Sequence, residues 1–123
     1  MTDLRIDVDG RGLDATWTDE NPETQSALAD ALPLAGDATR WGDELYFRTG
    51  VEAPAEDARE AVPEGAVAYW PGGNAVCLFW GPTPASRGDE PRAAAPVNVV
   101  ATVDDVSALS DLDGAASVRV ERA

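Results

Sequence analysis

The chain contains no histidine and no lysine; all nine of its basic residues are arginine. Without histidine there is no Ser-His or Cys-His nucleophile and little scope for a transition-metal site, so no metal or cofactor is expected. Cysteine is nearly absent too. Cys77 stands alone, so it makes no internal disulfide. With no His or Lys near it to lower its pKa, it reads as a small buried hydrophobe. A phosphate-neutralising basic stripe is missing, which argues against nucleic acid as a partner. No apolar run reaches membrane-spanning length, and no leader with a basic start and an apolar middle is evident. Asp3, Arg5 and Asp7 already alternate with Leu4, Ile6 and Val8, so the fold is expected to begin at once, in a cytoplasmic protein with no membrane partner.

What the chain has in excess is carboxylate: 23 Asp and Glu against nine Arg, a net charge of −14. The acids run from Asp3 to Glu121 without forming the block that marks a disordered tail. With 123 residues, 44% of them hydrophobic, the composition suits one globular domain over residues 1–123. Two readings of the acidity compete. A docking face for a basic partner should be patchy, and this charge is diffuse. Hydrated carboxylates instead keep a protein dissolved where salt strips water from surfaces, and strong salt screens their mutual repulsion. The expectation is the cytoplasm of a high-salt organism.

Along the chain, Leu4–Val8 alternates as a half-buried strand, Asp9-Gly10-Arg11-Gly12 turns it, and Leu13–Trp17 pairs back as a hairpin. Asn21 as cap, Pro22 at the first helical position and Glu23 behind it start a helix. Leu28, Ala31 and Leu32 form its stripe and Pro33 ends it. A loop through Gly36 leads to a strand at 44–49. Residues 53–62 read as a surface connection with a short helical turn. A second hairpin runs from Ala66–Trp70 through Pro71-Gly72-Gly73-Asn74 into Ala75–Trp80, whose unbroken apolar run predicts cover on both faces. Residues 81–95 form a long Pro- and Gly-rich loop, 97–103 a strand, 104–112 a short helix capped by Asp104 or Asp105, and 117–122 the last strand. About seven short strands and one or two helices indicate a mainly β, closed or nearly closed barrel.

Three segments together resemble a known family: Arg40-Trp41-Gly42-Asp43-Glu44-Leu45-Tyr46-Phe47, the stretch from Gly65 to Pro84, and Pro96-Val97-Asn98-Val99-Val100. They are similar to small prokaryotic cyclophilin-like proteins, atypical relatives of the peptidyl-prolyl isomerases, over roughly Leu4 to Val120. The resemblance implies a cyclophilin-like closed β-barrel with a helix at one end. It also implies a site. Cyclophilins use an Arg early on a strand, a following Phe, a Gln-x-Phe pair, a Trp and a His. Arg40 matches the Arg, and Tyr46 or Phe47 the next aromatic. The strand Ala75–Trp80 takes the place of the Gln-x-Phe pair without a Gln, and Asn98 stands where the His would be.

Isomerising an X–Pro bond crosses a barrier of ~20 kcal/mol and needs neither nucleophile nor metal. It needs an apolar pocket and a donor, usually Arg, that reaches the twisted amide. Arg40 is therefore the candidate catalytic residue, and Tyr46, Phe47, Trp70, Phe79 and Asn98 the candidate ligand-binding residues. Against this, Arg40 is also explained as one half of an ion pair, and the aromatics as core or rim. The favoured expectation is a binding module for a peptide or small ligand with isomerase activity weak or absent. The alternatives are an active isomerase using Arg40, or a structural protein whose groove is filled by its own 81–95 loop. Minor motifs carry no chemistry. Asp111-Leu112-Asp113-Gly114 is out of register for a calcium loop. Arg87-Gly88-Asp89 matches an adhesion tripeptide by chance. Gly72-Gly73 has no helix behind it and is a hairpin turn. Oligomeric state and natural ligand are not legible.

Overall fold

A computed structural model describes residues 2–123. Among the described residues, nine strands and one α-helix follow in order: β1 (Leu4–Val8), β2 (Arg11–Trp17), α1 (Pro22–Ala31), β3 (Leu34–Arg40), β4 (Glu44–Arg48), β5 (Arg59–Ala61), β6 (Ala66–Trp70), β7 (Ala75–Phe79), β8 (Arg92–Val103) and β9 (Ala116–Arg122). The strands pair antiparallel in the order β2-β1-β9-β3-β4-β7-β6-β8, and β8 pairs with β2. Eight strands thus close into a ring. β5 lies outside it, paired only with the first half of β8.

Local chemistry explains most of these elements. Val8 pairs with Arg11, so the first turn is only Asp9-Gly10, with φ of +49° and +86°. A two-residue turn that follows the strand twist requires such left-handed angles, and Asp-Gly tolerates them. Arg11 and Gly12, expected in the turn, are therefore already in β2. The helix begins at Pro22 as expected, but Asn21 does not cap it through its side chain. The backbone N–H groups of Glu23 and Thr24 donate instead to the carboxylate of Glu56, which reaches across from the segment after β4. Asn21 is fully buried and spends its amide elsewhere, donating to the Val99 carbonyl and accepting from the Asp57 N–H.

Four expectations are corrected. Residues 34–40, read as a loop, form β3, which bridges β9 and β4. Gly36 belongs there because the Phe47 ring lies against it; a Cβ would come within 3.0 Å of that ring. Residues 59–61 are a strand and not a helical turn, and the helix expected at 104–112 shrinks to a single 3-10 turn, Ser107–Leu109, with Asp105 accepting from the Ser107 N–H. Strand β8 also begins at Arg92, inside the segment taken for a loop.

Period-2 alternation sorts the side chains into two cores. Inside the ring pack Leu4, Ile6, Val8, Leu45, Phe47, Val67, Tyr69, Val76, Leu78, Val118 and Val120, joined by Leu28 of α1 and by Leu109 and Leu112. Outside it, Ala66 and Ala68 of β6 and Cys77 and Phe79 of β7 meet Val62, Ala93, Val97 and Val99. The strand at 75–79 is covered on both faces, as its apolar run implies. Its outer cover is a flap made of β5 and the first half of β8.

Candidate functional site

The flap does not seal the outer face completely. Between residues 93–97 of β8 and the outward side chains of β4 and β6 lies a pocket of about 250 Å³. Trp41, Glu44, Tyr46 and Trp70 line it on one side and Ala93, Ala94, Ala95 and Val97 on the other. Each aromatic has a local reason for its place. Glu44 and Tyr46 are two apart on β4, so both point outward while Leu45 and Phe47 point into the ring. Trp70 ends β6, and its indole lies over the following turn. A Cβ on Gly73 would come within 2.5 Å of that ring, so the glycine pair seats a tryptophan. The Tyr46 and Trp70 rings stand perpendicular, centroids 6.4 Å apart, the edge-to-face arrangement favoured by ring quadrupoles. Opposite them, three consecutive alanines leave the space that larger residues would fill.

Glu44 is the unusual member. It is only 5% exposed, with an apolar and aromatic surround. Burial pushes its carboxyl up to about 7, and a hydrogen bond with the Cys77 thiol pulls less strongly the other way. Cys77 lies diagonally across on β7, where Tyr46 pairs with Cys77 and Glu44 with Phe79. Its own thiol is held well above its ordinary value by burial and by the neighbouring Glu44 charge, so it is no nucleophile. None of the ion pairs among the described residues includes Glu44.

The sequence-derived candidates are dispersed. Tyr46 and Trp70 meet in the pocket. Phe47 is in the inner core, and Phe79 is wholly buried in the outer one. Asn98 is fully buried too. It accepts from the Glu56 N–H and donates to Thr24 Oγ1 and the Pro54 carbonyl, tying the segment before β5 to α1. Arg40 does not line the pocket but braces it. Its guanidinium donates to the Gly42 carbonyl at 2.6 Å, the Leu112 carbonyl at 2.7 Å and Asp43 at 3.1 Å, and lies 5.0 Å over the Trp80 ring. The turn it holds carries Trp41 and leads into Glu44. Gly42, at φ +61°, lets that turn press on residues 82–84; a Cβ there would meet Thr83 Cα at 2.7 Å. Asp43 and Trp80 complete the joint, the Asp43 N–H donating to the Pro82 carbonyl and the Trp80 N–H to the Asp43 carbonyl.

Beyond this joint, the loop to Arg92 folds on itself. The Glu90 carboxyl, held down to about 2, accepts from the Arg87 and Gly88 N–H groups and the Arg92 side chain. The Arg87-Gly88-Asp89 tripeptide is therefore half locked by its own loop.

Sequence reasoning missed Glu44 and Trp41. Their signal was an acid on the same strand face as Tyr46, just after a Trp-Gly turn, but one acid among 23 does not stand out. No helix of the described residues is long and apolar enough to cross a membrane. Comparison with known proteins bears on the whole molecule. The profile of the cyclophilin-like family matches residues 2–121. The solution structure of the hypothetical protein AF2241 from Archaeoglobus fulgidus is 41% identical, covering 99% of this chain and 95% of its own, with a TM-score of 0.81. No curated protein matches. With the ring, the flap and the nearly full-length match in agreement, the chain belongs to the cyclophilin-like family.

Proposed function

We propose that this chain is a ligand-binding module whose site is the outer pocket walled by Trp41, Tyr46 and Trp70, with prolyl isomerase activity weak or absent. The observation that carries the reading is a concave, mostly apolar pocket with one buried polar group aimed into it, the ordinary composition of a small-ligand site. At about 250 Å³ it falls below the roughly 300–1,000 Å³ of drug-sized sites, so it suits a small molecule or a single side chain.

Arg40 argues against isomerisation. Its donors already serve two carbonyls and a carboxylate, and its face is stacked on Trp80. Stabilising a twisted amide would require breaking those bonds, and a preorganised donor must cost nothing at the moment of reaction. The diffuse acidity is, in the same reading, an adaptation of a cytoplasmic protein to a concentrated salt solution.

A protease-coupled assay with a chromogenic Xaa-Pro peptide in molar KCl tests the isomerase half. The expected rate matches the uncatalysed one for the wild type and for Arg40→Ala. Catalysis that disappears in Arg40→Ala would restore the isomerase reading.

A further inference from the structure

We propose that the pocket's ligand is a small organic ammonium, its charge held against the Glu44 carboxylate and the faces of Trp41, Tyr46 and Trp70. This rests on the binding-module reading above and names the chemistry of that same site. Three features of the pocket converge on a cation. Glu44 is nineteen-twentieths buried, lines the cavity and has no arginine partner among the described ion pairs. A buried carboxylate is strongly destabilised unless paired, so an entering cation gains what the protein itself leaves unsupplied.

The rings are the second feature. Tyr46 and Trp70 stand at a right angle as two walls of a corner, with Trp41 as a further aromatic side. Aromatic walls around one point attract an ammonium through their quadrupoles, and more strongly where water is displaced. The third is the far wall, Ala93, Ala94 and Ala95, which offers methyl groups to an apolar body and no competing cation. Glu44 is the only carboxylate among the lining groups, none of which is an arginine, and Cys77 on the strand beneath stays a neutral thiol. An anion would meet Glu44 unshielded. A neutral ligand would leave the ring faces and the carboxylate without charge to act on.

The enclosure favours a free amine over a peptide, since 250 Å³ holds one short apolar body. The protein's net charge of −14 further enriches cations near its surface, an effect that salt weakens.

The test is calorimetric titration of the intact protein in molar KCl with benzylamine, cyclohexylamine and their alcohol counterparts. The amines should bind at least about tenfold more tightly than the isosteric alcohols. Glu44→Gln should erase that preference, and Ala95→Leu should block both classes by filling the pocket. In the wild type, amine affinity should rise roughly tenfold per pH unit up to about pH 7 and then level, while alcohol affinity stays flat. This pH profile keeps the test decisive even if a variant does not fold. Equal binding of amine and alcohol, or a flat amine profile, overturns the ammonium assignment and leaves the binding module standing. Failure of every probe to bind the wild type overturns both. Tenfold tighter binding of a lysine-containing hexapeptide than of any free amine overturns the small-molecule assignment.

Discussion

Replacing Glu44 by glutamine should stabilise the protein at pH 8 and leave its stability nearly unchanged near pH 4.5. The folded state raises this carboxyl from 4.5 to about 7, chiefly by burial. In that window the folded protein holds a proton that the unfolded chain has released, so stability falls as pH rises from 4.5 and levels above 7. At about 1.4 kcal/mol per pH unit, the wild type loses about 3 kcal/mol across the window. Only 5% of the residue is exposed, so solvent screening offsets little of this. Glutamine keeps the volume and cannot ionise. Thermal melts of both proteins between pH 4.5 and 8 in molar salt would show curves that separate progressively, by roughly 10 °C at the alkaline end. Glu56, Glu90 and Asp105 are shifted downward and produce the opposite trend, but they are common to both proteins and cancel in the difference. Parallel curves would refute the reasoning, because they would mean that Glu44 titrates alike in both states.

Three further outcomes follow from other parts of the structure. Asn98→Ala strands the Glu56 N–H and the Pro54 carbonyl in a buried seam and should cost about 3 kcal/mol by urea denaturation, with pocket binding retained. Glu56→Ala removes the carboxylate that caps α1, and its folded-state pKa is lowered by those N–H bonds. Melts should therefore show a loss that is full above the ordinary carboxylate range and vanishes as pH falls below it. Dialysis into dilute buffer at pH 7 should unfold the protein, followed by circular dichroism, because the screening length grows from about 3 Å at 1 M salt to about 30 Å at 0.01 M; full stability there would count against the salt adaptation.

The parts of this fold that could be read in advance are those whose cause is local. Asp9-Gly10 and Pro71-Gly72-Gly73-Asn74 carry turn chemistry in their own residues, and Pro22 and Pro33 bracket the helix. The strand β3 escaped notice because its residues are small and polar. Gly36 stands there for the sake of Phe47, a neighbour eleven positions away that no local pattern reveals. The apparent N-cap failed for a similar reason, since the real cap is Glu56, supplied from another segment. The site was half visible. Tyr46 and Trp70 stood out as aromatics, whereas the burial of Glu44 depends on alanines about fifty residues later that fold back as the flap. Arg40 was legible as important, but its four contacts, to Gly42, Leu112, Asp43 and Trp80, make it a brace for the turn that carries Trp41.

The four tryptophan indole N–H signals report on where the ligand binds. Titrating benzylamine into the ¹⁵N-labelled protein should shift the Trp41 and Trp70 indoles together and leave those of Trp17 and Trp80 in place. Shifts centred on Trp80 and the Arg40 side chain, or no indole shift at saturation, would contradict binding in the outer pocket.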